Sequence, residues 1–227
     1  MLQSTGPARR VKTKLGGKLV ASMRSVPLLT CFRMRSNDGA VDSAGRFWVE
    51  AFVDPEIEDP TDEGVVFRLD PDGSLKTVYD KIVIPNGITW NAADTQMHLT
   101  DTTVGKIYAF KYSSRSGDIS EKRLLYQHQG EGNPDGHTID ADGNLWQALY
   151  GGSKVVRISP EGRVTGEVHV PTRNVTCSVF AGTNLFITTA KEDEPDQYPE
   201  SDRYAGNLFR VDVGISGAAR HKVRLDR

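Results

Sequence analysis

The sequence predicts an all-β fold of the propeller type, assembled from repeated four-stranded antiparallel units. Three observations carry this expectation. The polar corners Asn37–Gly39, Pro85–Gly87 and Pro134–Gly136 recur so that Asn37, Asn86 and Asp135 stand 49 residues apart in succession. Between them lie short runs rich in β-branched and aromatic residues, bounded by turn formers, which is how strands read. Long amphipathic helical periodicity is absent, which argues against an α/β fold.

Each unit has the same parts in the same order. A polar corner opens a first strand, at Asn37, Asn86, Asp135 and, for the fourth unit, near Thr176. A second strand carries a tryptophan or another apolar residue, over 44–49, 95–99, 142–147 and 182–187. A third strand follows over 64–69, 105–110, 153–158 and 206–211, and the Asp70–Gly73 and Ser159–Gly162 segments read as turns leading into a fourth. Units of roughly 40 to 50 residues match a propeller blade, and such repeats bury their apolar faces only against neighbours. Before Asn37 only Gly16–Ala21 resembles a strand, and the end offers one more at His221–Leu225. The expected organisation is an irregular N-terminal segment with the remnant of an early blade over 1–34, then a propeller region over 35–227.

The bulk properties narrow the function. In 227 residues, 28 basic side chains oppose 30 acidic ones, which excludes an electrostatic nucleic-acid binder and leaves no polybasic membrane signal. No apolar stretch approaches a membrane span. Residues 1–24 are basic and free of acid, a composition shared with mitochondrial presequences, but the short apolar run Val26–Leu29 makes a poor signal peptide. The expected location is cytoplasmic. Cys31 and Cys177 lack a CxxC pattern, so they are expected to be free thiols and a cysteine zinc site is excluded.

If the corners occupy equivalent places in successive blades, Asn37, Asn86 and Asp135 face one another across a central channel. Carboxamide and carboxylate oxygens suit one hard divalent cation: calcium first, with magnesium, manganese or a carboxylate-bound zinc as alternatives. The competing reading is that these corners only make tight turns. Asp70–Gly73 and Asp140–Asn144 are hairpin turns, since glycine falls at the wrong position for a calcium loop. His98, His128, His137, His169 and His221 show no metal-ligand spacing, and His137 reads as packing between blades. Trp48 and Trp146 are blade-packing residues. Asn174 begins a glycosylation sequon that is expected to go unmodified. The charged stretch Lys191–Arg203, with two prolines, reads as a solvated loop.

With these residues in place, the chain resembles the gluconolactonase, senescence-marker-protein and regucalcin family. Arg35–Gly39, Gly64–Gly73, Ile84–Gly87, Pro134–Gly136, Asp140–Arg157 and Thr176–Cys177 carry the resemblance, from about Arg35 to about Gly206. It implies a six-bladed propeller with its first blade missing or incomplete, and one divalent cation in the channel. It further implies metal-dependent hydrolysis of a sugar lactone, with a small-molecule lactone or sugar acid as the partner. By position, Asn86 and Asp135 match metal ligands, Arg35 and Asn37 match substrate contacts, and Asp101 matches an aspartate close to the channel. Asp135 or Asp101 is then the proton acceptor for the attacking water. The family's N-terminal glutamate ligand, within a Glu-Gly-Pro segment, has no counterpart, because Gly6 and Pro7 follow Thr5. That departure implies an N-terminally truncated chain with impaired activity, and the alternative function is a non-catalytic propeller remnant that binds a small molecule, an ion or a partner protein.

Overall fold

The computed structural model of the chain describes residues 3–7 and 33–226. The described residues form four antiparallel sheets of four strands each. The first blade holds β2 (Met34–Val41), β3 (Phe47–Val53), β4 (Gly64–Leu69) and β5 (Leu75–Ile82). The second holds β6 (Pro85–Trp90), β7 (Gln96–Asp101), β8 (Lys106–Tyr112) and β9 (Ile119–Gln127). The third holds β10 (Asn133–Ile139), β11 (Leu145–Tyr150), β12 (Lys154–Ile158) and β13 (Val164–His169). The fourth holds β14 (Val175–Ala181), β15 (Asn184–Thr189) and β16 (Asn207–Asp212), and its outermost strand is β1 (Gln3–Pro7), paired antiparallel with β16.

The inner strands β2, β6, β10 and β14 stand side by side in that order. Among the described residues β14 makes no comparable contact with β2, so the four blades form an open arc. The expected units thus begin where the sequence placed them. The described residues supply four blades of the six that the resemblance implied. The His221–Leu225 strand does not form: that segment lies on the surface without ladder partners. Gly16–Ala21 and Cys31 fall outside the described residues.

Apolar side chains fill the seams between blades. Trp48, Val66, Ile88, Met97, Leu99 and Phe110 close the first seam. Ile107, Leu125, Ile139, Leu149 and Ile158 close the second, and Trp146, Val155, Phe180, Leu185 and Phe209 the third. At about 25 cal/mol per Å² of apolar area, such seams are the main source of stability in a fold whose blades cannot stand alone.

A buried aspartate anchors the hairpins that carry Trp48 and Trp146. Asp42 accepts from Trp48 Nε1 at 2.9 Å, Arg46 Nε at 2.6 Å and the Tyr112 hydroxyl at 2.8 Å. Asp140, in the third blade, accepts from Trp146 Nε1 at 3.0 Å, Asn144 Nδ2 at 3.0 Å and Arg157 Nε at 3.1 Å. Arg68 and Arg157 each lie 5.7 Å from the ring centre of their tryptophan. The Asp140 turn is the expected hairpin, with Gly143 at φ 86°. No described helix is long and apolar enough to cross a membrane.

Beyond Asp212 the chain crosses the ends of the blades remote from the corners. Ala141 N donates to Ser216 O at 2.9 Å and Ala218 N to Ile139 O at 3.0 Å, on the third blade. Arg224 N then reaches Gly45 O at 2.9 Å, and Asp226 N reaches Pro71 O at 2.7 Å, both on the first.

Candidate functional site

All four inner strands break register at their corners. The shifts fall between Ser36 and Gly39, Asn86 and Ile88, Pro134 and His137, and Val175 and Cys177. A bulge turns a side chain away from the alternation of its strand. Here it frees corner side chains to reach the neighbouring blade. Asn37 Nδ2 donates to Pro85 O at 2.8 Å. Asn86 Nδ2 donates to Asp135 Oδ1 at 2.5 Å, and Asn86 Oδ1 accepts from Gly87 N at 3.1 Å. Glycine is required beside these corners for space: a Cβ on Gly136 would lie 2.7 Å from Cys177 Sγ, and one on Gly87 would lie 2.4 Å from His137 Nδ1.

The environment of the pair is partly buried and acidic. Burial pushes Asp135 up to about 7, with the charge of Asp38 acting in the same direction and the Asn86 hydrogen bond opposing. Burial also raises Asp38, whose Oδ1 accepts from Gly39 N at 2.7 Å. A third carboxylate, Glu50, lies on β3 behind the Asn37–Asp38 bulge, between Val49 (paired with Gly39) and Ala51 (paired with Ser36). It is fully buried, and neither of its oxygens has a hydrogen-bond partner. Burial holds it well above the usual carboxylate range, and Asp38 and Asp135 push it the same way; the Asp38 amide faces it without hydrogen-bond geometry. Sequence reasoning passed over Glu50. Strand alternation held the signal, since Trp48, Glu50 and Phe52 share one face and both aromatics are buried.

The residues expected at the site divide into three groups. Asn86 and Asp135 come together. Arg35 and Asn37 are exposed on β2; Arg35 lies 3.8 Å from Asp54 Oδ1 and 5.9 Å from the ring centre of Phe52. Asp101 stands apart at the end of β7. It is buried, with Oδ1 unpartnered, and the charges acting on it are those of Lys122 and Lys106 from the outer strands. The structure does not bring it to Asp135.

Other expectations resolve in the same way. His137 packs between blades: it bonds Thr89 Oγ1 at 2.9 Å and Thr100 Oγ1 at 3.1 Å, and burial lowers it to about 4. Gln147 Nε2 donates to Asp135 O at 2.8 Å, tying the corner backbone to the second strand of its own blade. Cys177 is a free thiol that burial pushes up to about 12, which makes it a poor nucleophile. Asn174 is buried and donates to Lys191 O at 2.8 Å, a placement incompatible with a glycan. The Lys191–Arg203 stretch is more ordered than a solvated loop, because Glu192 is buried against Arg173 at 3.0 Å and Ser201 in the short helix α1 (Pro199–Asp202). Below the corners a cavity of about 540 Å³ is lined by Asp38, Thr89, His137, Cys177, Arg220 and His221.

A divalent cation fits the chemistry of this donor set. Asn86 and Asp135 offer oxygen, and Glu50 is an orphaned buried carboxyl on the strand behind the neighbouring bulge. Among the described residues no three of His, Cys, Asp and Glu gather closely enough to hold a metal by themselves. Asn86 now turns its amide nitrogen toward Asp135, so its oxygen faces the pair only after a half-turn of the carboxamide.

The family described as SMP-30/Gluconolactonase/LRE-like region matches residues 16–191. The chain belongs to this family. As a member of the SMP-30/gluconolactonase family it is 35% identical over 189 residues to the putative sugar lactone lactonase YvrE of Bacillus subtilis, a match covering 81% of this chain and 64% of the relative. It is 34% identical over 201 residues to the pentonolactonase XacC of Haloferax volcanii, covering 84% and 67%. Its fold is similar to that of the calcium-binding protein regucalcin from Agrobacterium tumefaciens, with a TM-score of 0.76 and 25% identity over 86% of this chain and 66% of that one. The chain therefore spans about two thirds of the length of these relatives, and its solved neighbours in the family are six-bladed propellers.

Proposed function

We propose that this chain carries the site of a cation-dependent sugar-lactone hydrolase. The contact between Asn86 and Asp135, made by two corners of successive blades, is the observation that supports it most directly. A divalent cation, when bound, supplies Lewis-acid polarisation of an ester carbonyl. Asn86 and Asp135 would hold it. Asp135, beside the cation seat, would accept a proton from an attacking water; burial raises it to about 7 in the ion-free chain, and the charge of a bound cation would act against that shift. Arg35 presents an exposed guanidinium to the hydroxyl or carboxyl groups of a sugar acid. Asn37, with its amide nitrogen engaged by Pro85 O, keeps its oxygen free to accept from a hydroxyl. Asp101 has no part in this scheme.

The resemblance of the family members YvrE and XacC, named for lactonase activity, supports the reaction class. Hydrolysis of glucono- and pentono-lactones should be measured with and without chelator, in the wild type and in Asp135→Asn. Activity that needs added divalent ion and falls about 100-fold in the variant is the expected result. Full activity of Asp135→Asn with ion present would reject the scheme.

A second reading rests on the open arc of four blades and the partial span of the relatives: a non-catalytic propeller that binds an ion or small molecule. Stoichiometric cation binding without lactone turnover would select it.

A further inference from the structure

We propose that Glu50 is a third carboxylate of the cation seat, which sets the affinity of the Asn86–Asp135 pair through its charge rather than by direct ligation. This rests on the reading of that pair given above. Most other deeply buried carboxylates in the described residues are matched by a cation and by hydrogen bonds; Asp101, whose Oδ1 is also unpartnered, has the charges of Lys122 and Lys106 acting on it. Asp42 has Arg46 at 2.6 Å, Asp140 has Arg157 at 3.0 Å, and Glu192 has Arg173 at 3.0 Å. Asp70, nearly as deep, has Arg68 at 2.6 Å and Lys76 at 2.9 Å. Glu50 is as deep as any of them and has neither kind of partner. The charges that act on it most are two further carboxylates, Asp38 from the same blade and Asp135 from the third blade.

A buried carboxyl without a partner is costly, most of all when ionised, and an apolar side chain at position 50 would pack in the same seam without that cost. The arrangement makes physical sense around a positive ion. The strands that carry Glu50, Asp38 and Asp135, β3, β2 and β10, all lie against β6, which opens with Pro85 and Asn86. Among the described residues no three such side chains gather to share one ion. Glu50 therefore acts at longer range across a dry interior, or through a bound water, as residues behind metal ligands do. It is a positioning residue for charge, not a catalytic one.

The test is calorimetric titration of calcium and manganese chloride into chelator-treated full-length protein, with Tm recorded at each ion concentration. Wild type is compared with Glu50→Gln, which removes the charge and keeps the shape, and with Glu50→Asp, which keeps the charge. Glu50→Gln should bind about 10 to 100-fold more weakly at unchanged stoichiometry and gain less Tm from the ion. Glu50→Asp should recover part of the affinity. Glu50→Met, apolar and of similar volume, carries the test if glutamine does not fold. Variants without the charge that bind as tightly as wild type overturn the role of Glu50 alone. Wild type that binds no divalent ion overturns the Asn86–Asp135 reading as well.

Discussion

The Asn86 amide nitrogen lies 2.5 Å from Asp135 Oδ1, a hydrogen bond that spans 49 residues of sequence and joins the inner strands of two blades. The pair therefore has a structural use before any ligand arrives. Asn86→Ala removes the donor and leaves a buried carboxylate short of one partner. A loss of about 1–3 kcal/mol in urea unfolding is expected in chelator. Added calcium should raise the stability of the wild type and not of the variant.

Asp42 and Asp140 make the same anchor in the first and third blades. Each is buried, accepts from the tryptophan indole of its hairpin and meets an arginine. Asp42→Ala and Asp140→Ala should each cost about 3–5 kcal/mol, because each takes the buried carboxylate from a guanidinium and leaves an indole N–H unpaired. Equal penalties, read from denaturant midpoints, would show that the two hairpins are energetically equivalent; a negligible cost at either would contradict the anchor.

His137 carries a signature in pH. Its ordinary value of 6.5 falls to about 4 in the fold, through burial. Below about pH 6.5 the unfolded chain takes up a proton that the native imidazole refuses. The stability conferred by the neutral ring is thus present above 6.5 and lost as pH falls toward 4, by about 3 kcal/mol in total. The raised carboxylates Asp135 and Glu50 titrate with the opposite sign, so the measurement must be differential. Wild type should lose stability relative to His137→Gln between pH 6.5 and 4. A constant difference across that window would refute the shift.

Gly136 marks the closest approach of the third and fourth blades at their corners. A methyl group there meets Cys177 Sγ at 2.7 Å, Cys177 Cβ at 2.9 Å and Thr176 O at 3.0 Å. Gly136→Ala should cost about 1–3 kcal/mol as the strands part. Adding Cys177→Ala should recover only a fraction, since Cβ and the carbonyl remain, and thermal unfolding of the double variant measures the coupling.

The blades were legible because their signals are local. Turn glycines, tryptophan-bearing second strands and corners at a constant interval all sit within a few residues of the feature they specify. The pairing of Asn86 with Asp135 was legible for the same reason, since one interval places both at the same height on neighbouring inner strands. Glu50 was harder to read because it looks like an ordinary charge in an alternating strand, and only the burial of Trp48 and Phe52 on the same face reveals its place. Asp101 pairs with Pro85 at the end of β7, and the sequence held no sign that the charges acting on it would come from Lys122 and Lys106 on the outer strands. His221–Leu225 alternates like a strand, but a ladder needs a partner edge. Gln3–Pro7 shows the reverse: it has no strand signal and is recruited through backbone bonds to β16.

The tail that ties Arg224 to Gly45 and Asp226 to Pro71 fixes an order of events during synthesis. The first blade leaves the ribosome long before the residues that fasten its far end are translated. The early hairpins must therefore stand without that fastening, held by buried aspartates such as Asp42, and the strap can close on the first blade only after the other three blades have been made.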